Sequence, residues 1–95
     1  MTEEQILTRH PHGKSGRRIS RERYDTVKEA IVSALSKREL THPQLMNALS
    51  TALKPTFEGN INWYGETVKL DLEARKVIER TATTPVTYRL GQRGS

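Results

Sequence analysis

The sequence predicts an α+β domain of three helices, one short strand and a C-terminal β-hairpin, preceded by a flexible N-terminal arm. Three observations lead there. Apolar residues recur at spacings of three and four in separate stretches after Ser20. A capping box opens at Thr41. From residue 77 onward the helical spacing gives way to two short strand-like runs.

Residues 1–19 show no sustained period, and the run His10-Pro11-His12-Gly13-Lys14-Ser15-Gly16 has the composition of a loop. They read as a flexible basic arm with, at most, a short helical turn over Thr2–Leu7. The folded domain is expected over 20–90 and a polar tail over 91–95. Ser20 can cap a first helix running from about Arg21 to Ser36, whose buried face is Tyr24, Val27, Ile31, Ala34 and Leu35. Leu40, isolated between polar residues, anchors a very short extended segment. In Thr41-His42-Pro43-Gln44 the Thr41 hydroxyl can accept from the Gln44 N–H while the Gln44 side chain returns to the Thr41 N–H. Pro43 falls in the first turn, where no N–H is needed. Leu45, Leu49, Ala52 and Leu53, with Met46 beside them, form the inner face of this second helix. Pro55 stops it, and Glu58-Gly59 turns the chain.

The third helix, from about Ile61 to Arg75, has two apolar stripes when its residues are placed about 100° apart. Ile61, Tyr64, Val68 and Leu72 form one, with Gly65 beside it where a neighbouring backbone can approach closely. Trp63, Thr67, Leu70 and Ala74 form the other, separated from the first by the arc of Asn60 and Asp71. Asn62, Glu66, Lys69, Glu73 and Lys76 make the remaining polar face. Val77–Arg80 and Val86–Leu90 then read as strands joined through Thr81–Pro85.

Two helices joined by a turn and followed by a hairpin beside the last helix describe a winged helix-turn-helix. The stretch from Val68 to Arg80 resembles the end of a winged-helix recognition helix running into its first wing strand, with Leu72, Lys76, Val77, Ile78 and Arg80 in the matching pattern. Trp63-Tyr64 followed by Thr67–Arg75 is similar to an uncharacterised family of small bacterial winged-helix proteins, over roughly residues 20–90. That resemblance implies a fold and brings no activity with it. Many winged helices have Gly at the position of Lys76, because the helix ends there in a left-handed conformation. A lysine adopts it at a cost of about 1 kcal/mol, or the helix ends differently and the wing leaves at another angle.

The chain has 95 residues and no cysteine, so disulfides and thiolate metal sites are excluded and a reducing compartment is expected. No apolar run approaches the length of a membrane span, and no signal-like hydrophobic region begins the sequence; a cytoplasmic protein without membrane contact is expected. Catalytic machinery is not expected either. His10 and His12 are two imidazoles without a third ligand at recognisable spacing, no serine has a His/Asp partner in a known motif, and Gly13-x-x-Gly16 is not a phosphate loop. Neither metal, cofactor nor small-molecule ligand is expected.

The function expected is therefore binding. The net charge of +5 suits a polyanion, DNA first and RNA as a further candidate. In a DNA-binding regulator of transcription, the third helix would enter the major groove with Asn62, Glu66 and Lys69 at base edges, and Arg80 would approach the backbone beside the wing. Arg17, Arg18, Arg21 and Arg23 would meet phosphates, and such a cluster at a helix N-terminus opposes the helix dipole. Against this, Glu66, Lys69, Glu73 and Lys76 alternate in sign and the Thr81–Pro85 tip is uncharged. The alternative is a protein-interaction module, a homodimer or larger assembly, using Trp63 and Leu70 as its interface. Cover of that second stripe by Val77, Val86 and Tyr88 within the chain is the simpler expectation.

Overall fold

A computed structural model describes residues 4–10, 16–57 and 59–91. The elements run β1 (Gln5–Leu7), β2 (Arg18–Ser20), α1 (Arg21–Lys37), β3 (Leu40–Thr41), α2 (His42–Leu53), α3 (Ile61–Ala74), β4 (Ile78–Arg80) and β5 (Thr87–Leu90). The described residues form a small α+β fold with three helices and two small sheets.

Each helix starts where a side chain can satisfy a free N–H. Ser20 accepts from Arg23 N at 3.3 Å, and Asn60 accepts from Trp63 N at 3.0 Å. The capping box at Thr41 is complete, with Gln44 N donating to Thr41 Oγ1 at 3.3 Å and Thr41 N donating to Gln44 Oε1 at 2.9 Å. The three helices meet around Val27, Ile31, Leu45, Leu49, Val68 and Leu72, none of which reaches solvent. Gly65 permits the closest approach of α2 to α3: a Cβ there would lie 2.8 Å from Leu49 Cδ1 and 3.0 Å from Met46 Sδ.

The end of α3 follows from one residue. Lys76 has φ 66°, so of the two endings open to this helix the left-handed one is taken. This turn lets Val77 N donate to Leu72 O at 2.9 Å and Lys76 N to Glu73 O at 3.1 Å, the paired bonds that close a helix C-terminus. Val77 is consumed by that closure, so β4 begins at Ile78 rather than at Val77. The second sheet has the order β3-β5-β4, all antiparallel, with Leu40 opposite Tyr88 and Glu79 opposite Arg89. Its hairpin tip is held by hydroxyls. Thr81 Oγ1 lies 2.8 Å from Thr87 Oγ1 and 2.7 Å from Thr83 Oγ1, and Thr83 Oγ1 donates to Pro85 O at 2.9 Å.

Two expectations are corrected. The arm read over residues 1–19 is anchored where it is described: β1 pairs antiparallel with β2, bringing Ile6 opposite Ile19, and Ile19 joins the core. The turn of helix foreseen over Thr2–Leu7 is replaced by strand from Gln5; Thr2 and most of the His10–Gly16 loop, His12 included, lie outside the described residues, as do Glu58 and the tail beyond Gly91. The polar face of α3 is also not a solvated face. Asn62, Glu66 and Lys76 are exposed, but Lys69 is buried and Glu73 nearly so, because the hairpin packs over them.

Candidate functional site

Helix α3 is enclosed on three sides, and each side uses different chemistry. Its first apolar stripe faces α1 and α2. On one flank, Lys69 Nζ lies 3.5 Å from Glu73 Oε2 and 4.0 Å from the centre of the Tyr88 ring. Arg80 completes this group, 3.7 Å from Glu73 Oε1 and 5.6 Å from the same ring. A cation on an aromatic face and a shared carboxylate allow a lysine to be buried there without an unpaired charge.

On the other flank Asp71 is fully buried. Its carboxylate accepts from Tyr24 Oη, from Arg75 Nε at 2.8 and 3.0 Å, and from the backbone N of Arg9 at 2.7 Å. Burial pushes the Tyr24 phenol well above its usual range, and the hydrogen bond to Asp71 and that group's negative charge push the same way. The hydrogen bond to Asp71 likewise raises Arg75. This group ties the segment after β1 to α3, and no spacing in the sequence announces it. Its one local trace is the i,i+4 pair of Asp71 and Arg75.

What remains outward on α3 is the second stripe. Trp63 is 41% exposed, and Thr67, Leu70 and Ala74 are half-buried. The expected cover by Val77, Val86 and Tyr88 leaves Trp63 open: Val86 is itself exposed, Tyr88 lies over Lys69, and Val77 packs partly buried against the core. Trp63 stands edge-on to Tyr64 with centroids 4.9 Å apart, and Tyr64 meets Phe57 edge-on at 5.3 Å. Asn62 and Glu66 border this face and are exposed.

The remaining basic candidates divide. Arg17 and Arg18 are exposed, and their guanidinium groups have no partner among the described residues. Arg17 is fixed through its backbone, which donates to Thr8 Oγ1 at 2.8 Å and accepts from Thr8 N at 2.8 Å. Arg21 pairs with Asp25 at 3.4 Å and Glu4 at 3.8 Å. Arg23 donates to Tyr64 Oη at 3.2 Å and lies 5.8 Å from that ring's centre. No hydrogen bond or ion pair joins the Arg17–Arg23 group to Lys69 or Arg80 among the described residues.

Among the described residues no group of three or more His, Cys, Asp or Glu could hold a metal ion, and no helix is long and apolar enough to cross a membrane. No match to the chain is found among curated proteins or among solved structures. Residues 5–88 do match one family model, that of a family of unknown function (DUF6958), and the chain belongs to that family.

Proposed function

We propose that the chain is a winged-helix module that works by binding, and that the outward face of α3 docks on a second copy of the same chain. The succession α1-β3-α2-α3-β4-β5, with β3 paired to β5, supports the winged-helix reading. The observation that carries the function is the outward stripe of α3: Trp63 is exposed and Thr67, Leu70 and Ala74 are half-buried beside it, while Lys69 is turned under Tyr88. A helix meant for the major groove presents cations and amides to DNA, and a carboxylate such as Glu66 is repelled by phosphate. An apolar stripe with an exposed tryptophan is instead the composition of a protein interface.

The order of sizes along the stripe favours a second copy. Pack two α3 helices antiparallel about a two-fold axis beside residues 68 and 69. Trp63 then meets the partner's Ala74, and Leu70 meets the partner's Thr67. Large residues fall opposite small ones in both pairs, as a self-complementary contact requires.

The test is the molecular mass in solution over a range of concentrations, by light scattering, with Leu70→Glu and Trp63→Ala beside the parent chain. A dimer that both substitutions convert to a folded monomer supports the reading; a parent chain that stays monomeric throughout sinks it.

DNA binding remains a second reading, favoured by the adjacent and unpartnered side chains of Arg17 and Arg18 on an anchored hairpin. It calls for affinity for random duplex that falls with salt by a log–log slope of about −0.9 per phosphate contacted. Joint replacement of Arg17 and Arg18 by Ala should then weaken binding equally for every sequence. RNA of matched length distinguishes the two nucleic acids in the same titration.

A further inference from the structure

We infer that the groove between α1 and α2 is a docking site for an acidic amphipathic helix of a partner protein. The groove encloses about 370 Å³ and draws its lining from α1, α2 and the link between them, with none from α3. It is therefore separate from the face assigned to a second copy of the chain.

Its floor is Ala30 and Ala34 on one helix and Ala48 and Ala52 on the other, two rows at one-turn spacing. Side chains of one carbon leave room for the backbone of a third helix to come close, and a groove between two helix ridges is the shape an amphipathic helix fills. Its charge has one sign. Lys37 and Arg38 line one end, and no Asp or Glu lines the groove.

Elsewhere in the fold, arginines meet carboxylates: Arg21 with Asp25, Arg75 with Asp71, Arg80 with Glu73 and Arg89 with Glu79. Lys37 and Arg38 have no such partner among the described residues, and the nearby Glu39 is engaged by Arg89 and Thr87. The C-terminus of α1 and the N-terminus of α2 meet at that end, so their dipoles oppose each other and the positive charge there is that of Lys37 and Arg38. An occupant must match an uncharged small-residue floor along its length and carry carboxylates at one end. Nucleic acid offers anions to the basic end, but as phosphates along its whole length, and so fails to match the uncharged floor.

The probes are three labelled synthetic peptides: an alanine–leucine amphipathic helix ending in glutamates, the same peptide ending in lysines, and a scrambled acidic control. Fluorescence anisotropy against the full chain gives affinities, and amide chemical shifts locate the contact. The acidic helix should bind best, with shifts concentrated on Ala30, Ala34, Ala48 and Ala52. Joint Lys37→Glu and Arg38→Glu should weaken it about tenfold or more, and Ala48→Leu should do the same by filling the floor. The charge-reversed variant alters only exposed residues, so it stays informative even where Ala48→Leu perturbs packing. Equal binding of acidic and basic peptides, binding of none, or shifts centred on Trp63 and Leu70 would each overturn the assignment. So would duplex DNA displacing the acidic peptide from the same amides.

Discussion

The buried carboxylate of Asp71 accepts a hydrogen bond from the Tyr24 hydroxyl, so α1 and α3 are bonded to each other inside their contact. Neither group reaches water well enough to exchange this partner for solvent. Replacing Asp71 by Ala leaves the Tyr24 hydroxyl and the Arg9 N–H without their acceptor and Arg75 without its counter-charge. The expected loss is about 3 kcal/mol or more, a large part of what a domain of this size possesses. Urea unfolding monitored by circular dichroism measures it.

The same bond predicts an alkaline limit. Tyr24 in the fold holds its proton above its ordinary value of 10.0, whereas in the unfolded chain it titrates near that value. Below pH 10 both states keep the proton and stability does not depend on it. As pH rises above 10 the unfolded chain loses the proton and the fold retains it, so stability falls by up to about 1.4 kcal/mol per pH unit. Tyr24→Phe should be less stable at neutral pH by about 1–2 kcal/mol and should show a shallower fall above pH 10. Parallel slopes for the two proteins would contradict this account.

Lys76→Gly should stabilise the chain. The residue is held at φ 66°, which costs a side chain about 1 kcal/mol and glycine almost nothing. The midpoint of thermal unfolding is expected to rise by roughly 4 °C, the shift that about 1 kcal/mol produces in a domain of this size. An unchanged midpoint would mean that the lysine stem recovers the cost elsewhere.

Glu73 and Lys69 should respond unequally to replacement. Glu73→Ala leaves the Lys69 ammonium covered by the Tyr88 ring without its carboxylate, and a loss of about 2 kcal/mol is expected. Lys69→Met keeps the aliphatic stem under the ring, and Arg80 still neutralises Glu73, so the loss should stay near 1 kcal/mol or below. Denaturation midpoints of the two variants in one buffer decide the order.

Gly16→Ala should release the N-terminal strand pair. A Cβ at Gly16 would fall 1.8 Å from Thr8 O, a backbone atom that cannot step aside without parting from Arg17. Amide exchange over residues 5–8 is expected to rise to the level of an unpaired chain while the three helices stay protected. Protection that survives at Ile6 would show that the hairpin can shift as a unit.

Signals local in sequence proved legible. The Thr41–Gln44 box and the cap at Ser20 each depend on residues within four positions of one another, and each is found in the fold. Asn60 caps α3 in the same local way although it reads only as part of that helix's arc, and Lys76 takes the left-handed one of the two endings open to it. The doubly apolar character of α3 was visible too, but which side would be covered was not. Lys69 and Glu73 read as solvated because their heads are charged. Their burial depends on Tyr88 and Arg80, brought over them by a hairpin whose docking angle no spacing encodes. The pairing of β1 with β2 was missed for a similar reason. Three-residue strands carry too little alternation to register, and Ile6 and Ile19 recognise each other only across a loop.

The bond from Arg9 N to Asp71 spans 62 positions. The segment after the first strand is made 62 residues before the acceptor that fixes it. β1 and β2 can pair with each other before then, but their seat against α3 must wait. β1 and β2 can settle on α1 without α3, through Arg21 N donating to Glu4 O, so the Arg9–Asp71 bond is an added tie by which a lesion in α3 reaches the chain beside the Arg17–Arg18 corner.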